Sequence, residues 1–291
     1  MDITSRRKTL PPDLPLSWLK SDPEQRLMFR GARFTRVNSW CALFLGVVMT
    51  AGFYLLLLPV PDNVIAASFT QRGEIPYFIA LFSFWSLAIL WLKWKKLRLQ
   101  QQALKRIVVP EDPEFVLTPQ SVDDVYHRMY ESVDDVRHFV VFNRIATALS
   151  NLRNLGRVTD VAEILQSQAE SDESSMETSY SLLQGFVWAI PVLGFIGTVE
   201  GLSIAISGFG NVLGAASDFS QVKESLKGVT GGLSIAFETT MQGLVAALVI
   251  QLTLTAIKKS EEEFLDACSE YCSKHIVGRL RLMPFEMRET E

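Results

Sequence analysis

The sequence lacks several features by which secreted, nucleic-acid-binding and soluble proteins are recognised. Its 291 residues include only three cysteines, Cys41, Cys268 and Cys272, too few for a disulfide framework and consistent with a reducing compartment. No cleavable signal sequence is expected, because the first apolar run begins only at Trp40. The net charge of −4, with no concentration of basic residues into a reading surface, argues against nucleic-acid binding.

The sequence also lacks the motifs of common enzyme classes. It contains no phosphate-binding glycine motif, no G-x-S-x-G and no Cys/His nucleophile pair, so we expect neither an enzyme nor a cofactor. Cys268, Cys272 and His275 would share one face of a helix, which makes a metal site geometrically conceivable. No fourth ligand is evident nearby, and packing is the favoured explanation.

Long apolar runs are what the sequence does have, and they predict an all-α polytopic membrane protein with four transmembrane helices. Each run is long enough to cross about 30 Å of hydrocarbon as a helix. The first two runs are uncharged and rich in aromatic residues, as expected of helices that face lipid. The third and fourth each contain a single charge, Glu200 and Glu238. The four runs are residues 40–60, 75–92, 182–207 and 231–257.

Basic residues predict how these spans are oriented. Four arginines between residues 26 and 36 precede the first span, six lysines and arginines follow the second between residues 93 and 106, and Lys258 and Lys259 follow the fourth. The positive-inside rule then places both termini in the cytoplasm of a multi-pass protein of the inner membrane. The predicted domains are a cytoplasmic segment (1–39), two lipid-facing spans (40–92), a cytoplasmic helical region (93–181), a pair of pore-lining spans (182–257) and a cytoplasmic C-terminal helix (258–291).

The cytoplasmic region contains a short repeat. The sequences SVDDVYHRMY and SVDDVRHFVV begin 11 residues apart, at Ser121 and Ser132, and 11 residues make three helical turns. We therefore expect one amphipathic helix, with both copies on the same face, that packs on its neighbours. From about Asp160 we expect the third span to continue as a long helix into the cytoplasm. The apolar stripe of the repeat consists of Val125, Met129, Val133, Val136 and Val140.

The third span combines small residues with a carboxylate. On a helical wheel, Glu200, Ser203 and Ser207 lie roughly opposite a face of small residues. Pro191 removes one backbone hydrogen bond, which frees a carbonyl for water or an ion, or kinks the helix. The small face consists of Gly194, Thr198, Gly201 and Ala205.

The fourth span has the same character. Ser234, Glu238 and Gln242 form one polar stripe, and Thr240 points about 160–200° away from it. An ionisable residue inside a span makes a functional site the first hypothesis. Two explanations stay open: the carboxylates face a water-filled ion path, or they are protonated or paired and hold helices together.

Two motifs on these spans resemble those of the MotA/TolQ/ExbB proton channel family. The first, Pro191-x-Leu193-Gly194-x-x-Gly197-Thr198-Val199-x-Gly201, is similar to the family's P-x-L-G-L-L-G-T-V-x-G. The second, from Gly232 to Leu244 (GLSIAFETTMQGL), resembles G-x-x-x-A-L-x-x-T-x-x-G-L. They occur in the family's order on consecutive spans and cover roughly residues 180 to 260. The two additional N-terminal spans resemble the four-span MotA layout.

The resemblance implies a specific assembly. Members of the family form a five-fold ring around two copies of a single-span partner of the MotB/TolR/ExbD type, whose transmembrane aspartate takes up and releases protons. The family's pore threonines correspond to Thr198 and Thr240, and the pore-lining set here also includes Gly194, Gly201 and Pro191. The chain departs from the family in its carboxylates. Several TolQ and ExbB proteins have a glutamate where this chain has Ile235, and Glu200 occupies a position that is commonly apolar.

The sequence thus predicts an ion-conducting subunit of a stator-like motor that uses ion-motive force to do mechanical work in the cell envelope. The conducted ion is H⁺ in the first hypothesis and Na⁺ in the alternative. Glu200, Glu238, Gln242 and Ser234 are candidates for a second ion site or an interhelical contact. A non-conducting scaffold of the same fold is the other alternative. A small-solute transporter is disfavoured because no duplicated spanning unit is present. Expected partners are further copies of the chain, the single-span protein and membrane lipid.

Overall fold

The computed structural model describes residues 16–27, 29, 31–61, 63–106, 109, 117, 121–155, 158–214 and 219–280. This part of the chain is mostly α-helical. Two short 3₁₀ helices, Val136–His138 and Val277–Arg279, complete the element order. The α-helices are α1 (Trp18–Ser21), α2 (Pro23–Arg26), α3 (Ser39–Leu57), α4 (Val64–Thr70), α5 (Ile75–Leu104), α6 (Val122–Ser132), α7 (Val140–Leu155), α8 (Val158–Ser179), α9 (Ser181–Gly214) and α10 (Phe219–His275).

Four helical segments are long and apolar enough to cross a membrane, which confirms the predicted all-α polytopic fold. They correspond to the four predicted spans, carried by α3, α5, α9 and α10. The first ends at Leu57, short of the predicted residue 60, and the other three extend well beyond the apolar run. The third includes α8, so the expected continuation of that span towards Asp160 is present, with a turn at Tyr180 between α8 and α9. The candidate spans are Ser39–Leu57, Ile75–Leu104, Asp160–Gly210 and Val222–Arg279.

The chain divides into two compact units. The first unit contains the described residues of segments 1–38, 92–179 and 257–291, and the second contains those of 39–91 and 180–256. The second unit therefore holds the apolar parts of the four spans, together with α4.

Aromatic side chains hold the first two spans together within the second unit. The rings of Tyr54 and Tyr77 stack with centroids 4.6 Å apart, and Phe53 packs against Phe69 of α4 at 5.2 Å. Gly46 of α3 lies so close to the backbone of α5 that an added Cβ would be 2.7 Å from the Cα of Trp85. Close helix packing at a small residue is the usual means of association in membranes.

The 11-residue repeat does not form the single helix that the sequence predicted. Helix α6 ends at Ser132, Val133 is extended, and α7 begins only at Val140. At the break, the backbone of Val133 pairs with Leu16, and the Asp134 carboxylate accepts hydrogen bonds from the N–H groups of Trp18 and Leu19. Asp135 accepts from the Arg137 N–H and caps the 3₁₀ helix that follows. The apolar stripe is nevertheless buried at all of its positions, which are Val125, Met129, Val133, Val136 and Val140.

Two lysines that the sequence analysis used only to orient the spans are buried in the first unit. Lys96 donates to the carboxylate of Glu24 at 2.7 Å, and both side chains are fully buried. Asp22 lies 3.8 Å from the same ammonium group, and burial raises the pKa of its carboxyl group, although the charge of Lys96 acts in the opposite direction. The N-terminal segment is thereby attached to α5 by charge.

The second of these lysines, Lys93, joins three elements of the first unit. Its ammonium group donates to the Ser179 hydroxyl at 2.8 Å and lies 3.4 Å from the Glu261 carboxylate. Thr35 donates a short hydrogen bond to the other oxygen of Glu261. The side chains of Lys93 and Glu261 are only 1% and 2% exposed, so the pair is shielded from water.

Candidate functional site

The third and fourth spans cross at a seam of small residues. A Cβ added at Gly201 of α9 would overlap the backbone of α10 at Gly232 and Ala236, and one added at Gly232 would lie 2.5 Å from the Gly201 carbonyl oxygen. A Cβ at Gly194 would lie 3.1 Å from the Cα of Thr240. The small face predicted for the third span therefore packs against the fourth span of the same chain, where only glycine allows this approach.

The two predicted pore threonines meet at this seam. The hydroxyl oxygens of Thr198 and Thr240 are in direct hydrogen-bond contact. The Gly194 carbonyl oxygen accepts from Thr240 at 3.0 Å and lies 3.2 Å from the Thr198 hydroxyl, and the Ala236 carbonyl lies 3.3 Å from the same hydroxyl. Both side chains are partly buried. A hydroxyl can donate and accept at once, so the pair with its two carbonyls can hold or pass a proton.

The structure places the carboxylate of the third span away from the threonines, as the helical wheel indicated. Glu200 is exposed within the chain, as are Ser203 and Ser207, whereas Ala205 on the seam side is buried. No ion pair involves Glu200 in the described part of the chain. Pro191 lies inside α9, which continues through it. Whether any of these residues lines a pore stays a prediction.

The carboxylate of the fourth span has a partner that the sequence analysis missed. Arg72, in the connection between α4 and α5, donates from Nε to one oxygen of Glu238 at 2.8 Å and from Nη2 to the other at 3.0 Å. Ser234 donates to the same carboxylate at 2.7 Å. The only sequence signal for this contact is the single arginine in the short segment between the first two spans.

The rest of the polar stripe on α10 faces the same connection. The side-chain amide of Gln242 donates to the Ser68 carbonyl of α4 at 3.0 Å, one helical turn beyond Glu238. Gly73, next to Arg72, adopts a left-handed conformation with φ of 84°, and a Cβ there would lie 3.5 Å from a carboxylate oxygen of Glu200. The turn at residues 72–73 thus touches both intramembrane carboxylates.

The cysteines of the C-terminal helix are packing residues. Cys268 and Cys272 are buried, and burial raises the pKa of both thiols, that of Cys272 to about 11. His275 stacks on Tyr271 with centroids 4.6 Å apart. Within the described ranges, no group of three or more His, Cys, Asp or Glu side chains is placed to hold a metal ion.

Comparison with known proteins identifies one relationship. Residues 140–269 match the model of the MotA/TolQ/ExbB proton channel family, which confirms the resemblance seen in the two motifs. The matched segment includes Thr198, Thr240, Glu200 and Glu238, whereas Arg72 lies outside it. No curated protein and no solved structure matches the chain.

Proposed function

We propose that this chain, whose residues 140–269 match the MotA/TolQ/ExbB proton channel family, is the ion-conducting subunit of a stator-like motor. Copies of it form a ring, five in number as in the family, around a single-span partner with a transmembrane aspartate. The complex lies in the inner membrane, with both termini in the cytoplasm. Protons that move down their gradient through the ring drive mechanical work in the cell envelope.

The observation that carries this proposal is the contact between the Thr198 and Thr240 hydroxyls. Two hydroxyls and two helix carbonyls lie within hydrogen-bond distance in a seam of small residues, where Thr239 packs on Gly197. One hydroxyl takes up a proton from water or from the partner's aspartate on a lone pair and passes its own proton to the second hydroxyl, which releases its proton to water, so both hydroxyls end uncharged. Uncharged polar groups also cost less free energy within hydrocarbon than a carboxylate does.

The intramembrane carboxylates have other roles in this proposal. Glu238 is held by Arg72 and Ser234, so its charge is already balanced within the chain. Glu200 is exposed in the single chain and becomes shielded at the contact between neighbouring subunits. This assignment leaves the partner's aspartate as the group that changes its protonation state during transport.

Ion flux measured in liposomes tests the proposal. The chain, with an added affinity tag, is co-expressed and purified with a candidate single-span protein, and the complex is reconstituted in liposomes that contain a pH-sensitive dye. Thr198→Val or Thr240→Val should reduce proton flux about tenfold, which corresponds to about 1.4 kcal/mol in the barrier. Valine has nearly the same shape as threonine, so the packing of the seam is retained.

Thr253→Val is the matched control. Thr253 lies further along α10, away from the seam, and its hydroxyl donates to the Val249 carbonyl of its own helix at 2.8 Å. Its substitution should leave the flux unchanged. Equal flux in the Thr198→Val, Thr240→Val and wild-type complexes would refute the relay. A purified ring that contains no single-span protein and shows no proton or sodium flux would instead support the scaffold. Flux that follows a sodium gradient only would establish the sodium-driven alternative.

A further inference from the structure

The segment between the first two spans, which includes α4 and Arg72, is hydrogen-bonded to the fourth span at two successive helical turns. Arg72 binds Glu238 through two parallel hydrogen bonds, and Ser68 accepts from Gln242 four residues further along α10. Two-point contacts of an arginine with a carboxylate fix orientation as well as distance. The connection itself is fixed, because Phe69 packs on Phe53 at 5.2 Å.

The face of α10 that carries Glu238 and Gln242 lies almost opposite the face that carries Thr240. Glu238 and Gln242 are each two residues from Thr240, which places them about 160° away from it around the helix. Thr240 bonds to Thr198 and to the Gly194 carbonyl on the other side. The fourth span is therefore held from two opposite directions at the same depth.

This arrangement fixes the rotation of α10 about its own axis. A side-chain hydroxyl lies about 5 Å from the axis of its helix, so a rotation of about 20° would move it by about 2 Å. That displacement is enough to break a hydrogen bond, whose length tolerates only a few tenths of an ångström. At the seam itself the buried Thr239 side chain packs on Gly197, and the contacts of Glu238 and Gln242 restrain α10 from the other side.

We propose that Arg72 is a positioning residue: through Glu238 it sets the rotation of the fourth span that keeps Thr240 on Thr198. Arg72 does not touch the threonines and acts only through α10. The consequence for transport rests on the proposed function, whereas the geometric statement does not. The proposal also gives a role to Glu238, which does not lie at the threonine pair. Its carboxylate binds Arg72 and thereby attaches α10 to the segment between the first two spans.

Disulfide trapping tests the geometry in the complete protein. In the variant Thr198→Cys/Thr240→Cys, mild oxidation should join α9 and α10 with high yield. Mass spectrometry of the linked peptides quantifies this yield. Variants with only one of the two new cysteines give the background. Adding Arg72→Gln should reduce the yield several-fold, since Glu238 then has no cation to hold it. Arg72→Lys, which keeps the charge but loses the two-point contact, should restore part of the yield.

A second arm separates positioning from general loss of stability. Gly46→Ala disturbs the packing of α3 on α5 without touching the connection or Glu238, and its cross-linking yield should equal that of the parent. In reconstituted complexes that retain both threonines, Arg72→Gln should reduce proton flux and Arg72→Lys should recover part of it. The double variant Arg72→Gln/Glu238→Gln should cross-link better than Arg72→Gln alone, because no unbalanced charge remains.

The outcomes are distinct. An unchanged yield in Arg72→Gln, or an equal loss of yield in Gly46→Ala, overturns the assignment of Arg72 whatever the flux may be. If wild-type complexes conduct no ion but Arg72→Gln still loses the cross-link while Gly46→Ala keeps it, the positioning role stands and the proposed function fails.

Discussion

Lys93 and Glu261 form a salt bridge of 3.4 Å whose two side chains are almost completely shielded from water. Lys93 follows the second predicted span directly, and Glu261 lies four residues after the fourth, so the pair joins two span helices within the first unit. Shielded charges depend on each other far more than exposed ones do, because neither can be solvated by water if its partner is lost.

Removal of one partner should therefore destabilise the protein strongly. Lys93→Met leaves the Glu261 carboxylate buried without its cation and should reduce the free energy of unfolding by about 3–5 kcal/mol. Thermal unfolding of the detergent-solubilised protein measures the effect. Lys259→Gln is the control, because Lys259 and Glu263 form an exposed pair of 3.8 Å on the same helix, and its loss should not be measurable. Similar unfolding temperatures for the two variants would contradict the shielding argument.

Asp22 should make the stability of the protein depend on pH. Burial raises the pKa of its carboxyl group in the folded protein, so the folded state binds a proton at Asp22 more tightly than the unfolded state does. The wild type therefore loses stability as the pH rises through this raised pKa. Asp22→Asn keeps an acceptor for the Glu24 N–H and removes the buried charge, and it should unfold at a higher temperature than the wild type at neutral pH.

The difference between Asp22→Asn and the wild type should shrink as the pH is lowered, because Asp22 is then protonated in both states. Glu24→Gln provides the contrast: it weakens the 2.7 Å contact with Lys96 and should be destabilising at neutral pH. A difference that does not change with pH would show that the charge of Asp22 is not its cause.

Adjacent glycines on the fourth span should respond differently to alanine. A Cβ at Gly232 would lie 2.5 Å from the Gly201 carbonyl oxygen, whereas one at Gly231 meets no atom within 4 Å. Gly232→Ala should destabilise the protein by about 1–3 kcal/mol through overpacking. Gly231→Ala should be neutral or should stabilise the helix by up to about 1 kcal/mol. Unfolding temperatures measured in one detergent decide the matter, and equal effects would mean that the seam is looser than described.

The two intramembrane carboxylates should differ in their contribution to stability. Glu238→Gln removes the counter-charge of Arg72 and should reduce the free energy of unfolding by about 1–3 kcal/mol. Glu200→Gln breaks no ion pair among the residues that the structure describes and should leave the stability unchanged or slightly higher. The same unfolding assay on the isolated chain compares the two, and a larger loss for Glu200→Gln would contradict the assignment of Glu238 to Arg72.

Apolar run lengths were enough to predict the number and identity of the spans, because the requirement for about 20 apolar residues is local. They could not predict where α5 ends. It continues to Leu104, and Lys93 and Lys96 on this extension bind Glu261 and Glu24, partners that are distant in sequence. The single helix predicted for the repeat was wrong for a similar reason. The periodicity of the repeat is helical, but the helix ends at Ser132, next to a contact of Asp134 with Trp18 that is distant in sequence.

The sequence motifs were enough to predict which residues form the candidate site, but not the contacts between them. Thr198 and Thr240 followed from the family resemblance, and the helical wheel separated them from Glu200 and Glu238. Their mutual contact and the salt bridge with Arg72 depend on how helices cross and where a connection folds back. Neither can be read from the composition of one segment.

The burial of the native cysteines has a practical consequence for labelling the protein with a dye. Cys41 and Cys268 are fully buried and Cys272 is 3% exposed, and the raised pKa values of the latter two keep their thiols protonated at neutral pH. Since the thiolate is the species that reacts with maleimides, a fluorophore added under native conditions will attach to a newly introduced surface cysteine. The protein can therefore carry a dye at one chosen point, with its own cysteines retained, for single-molecule tests of the proposed motor function.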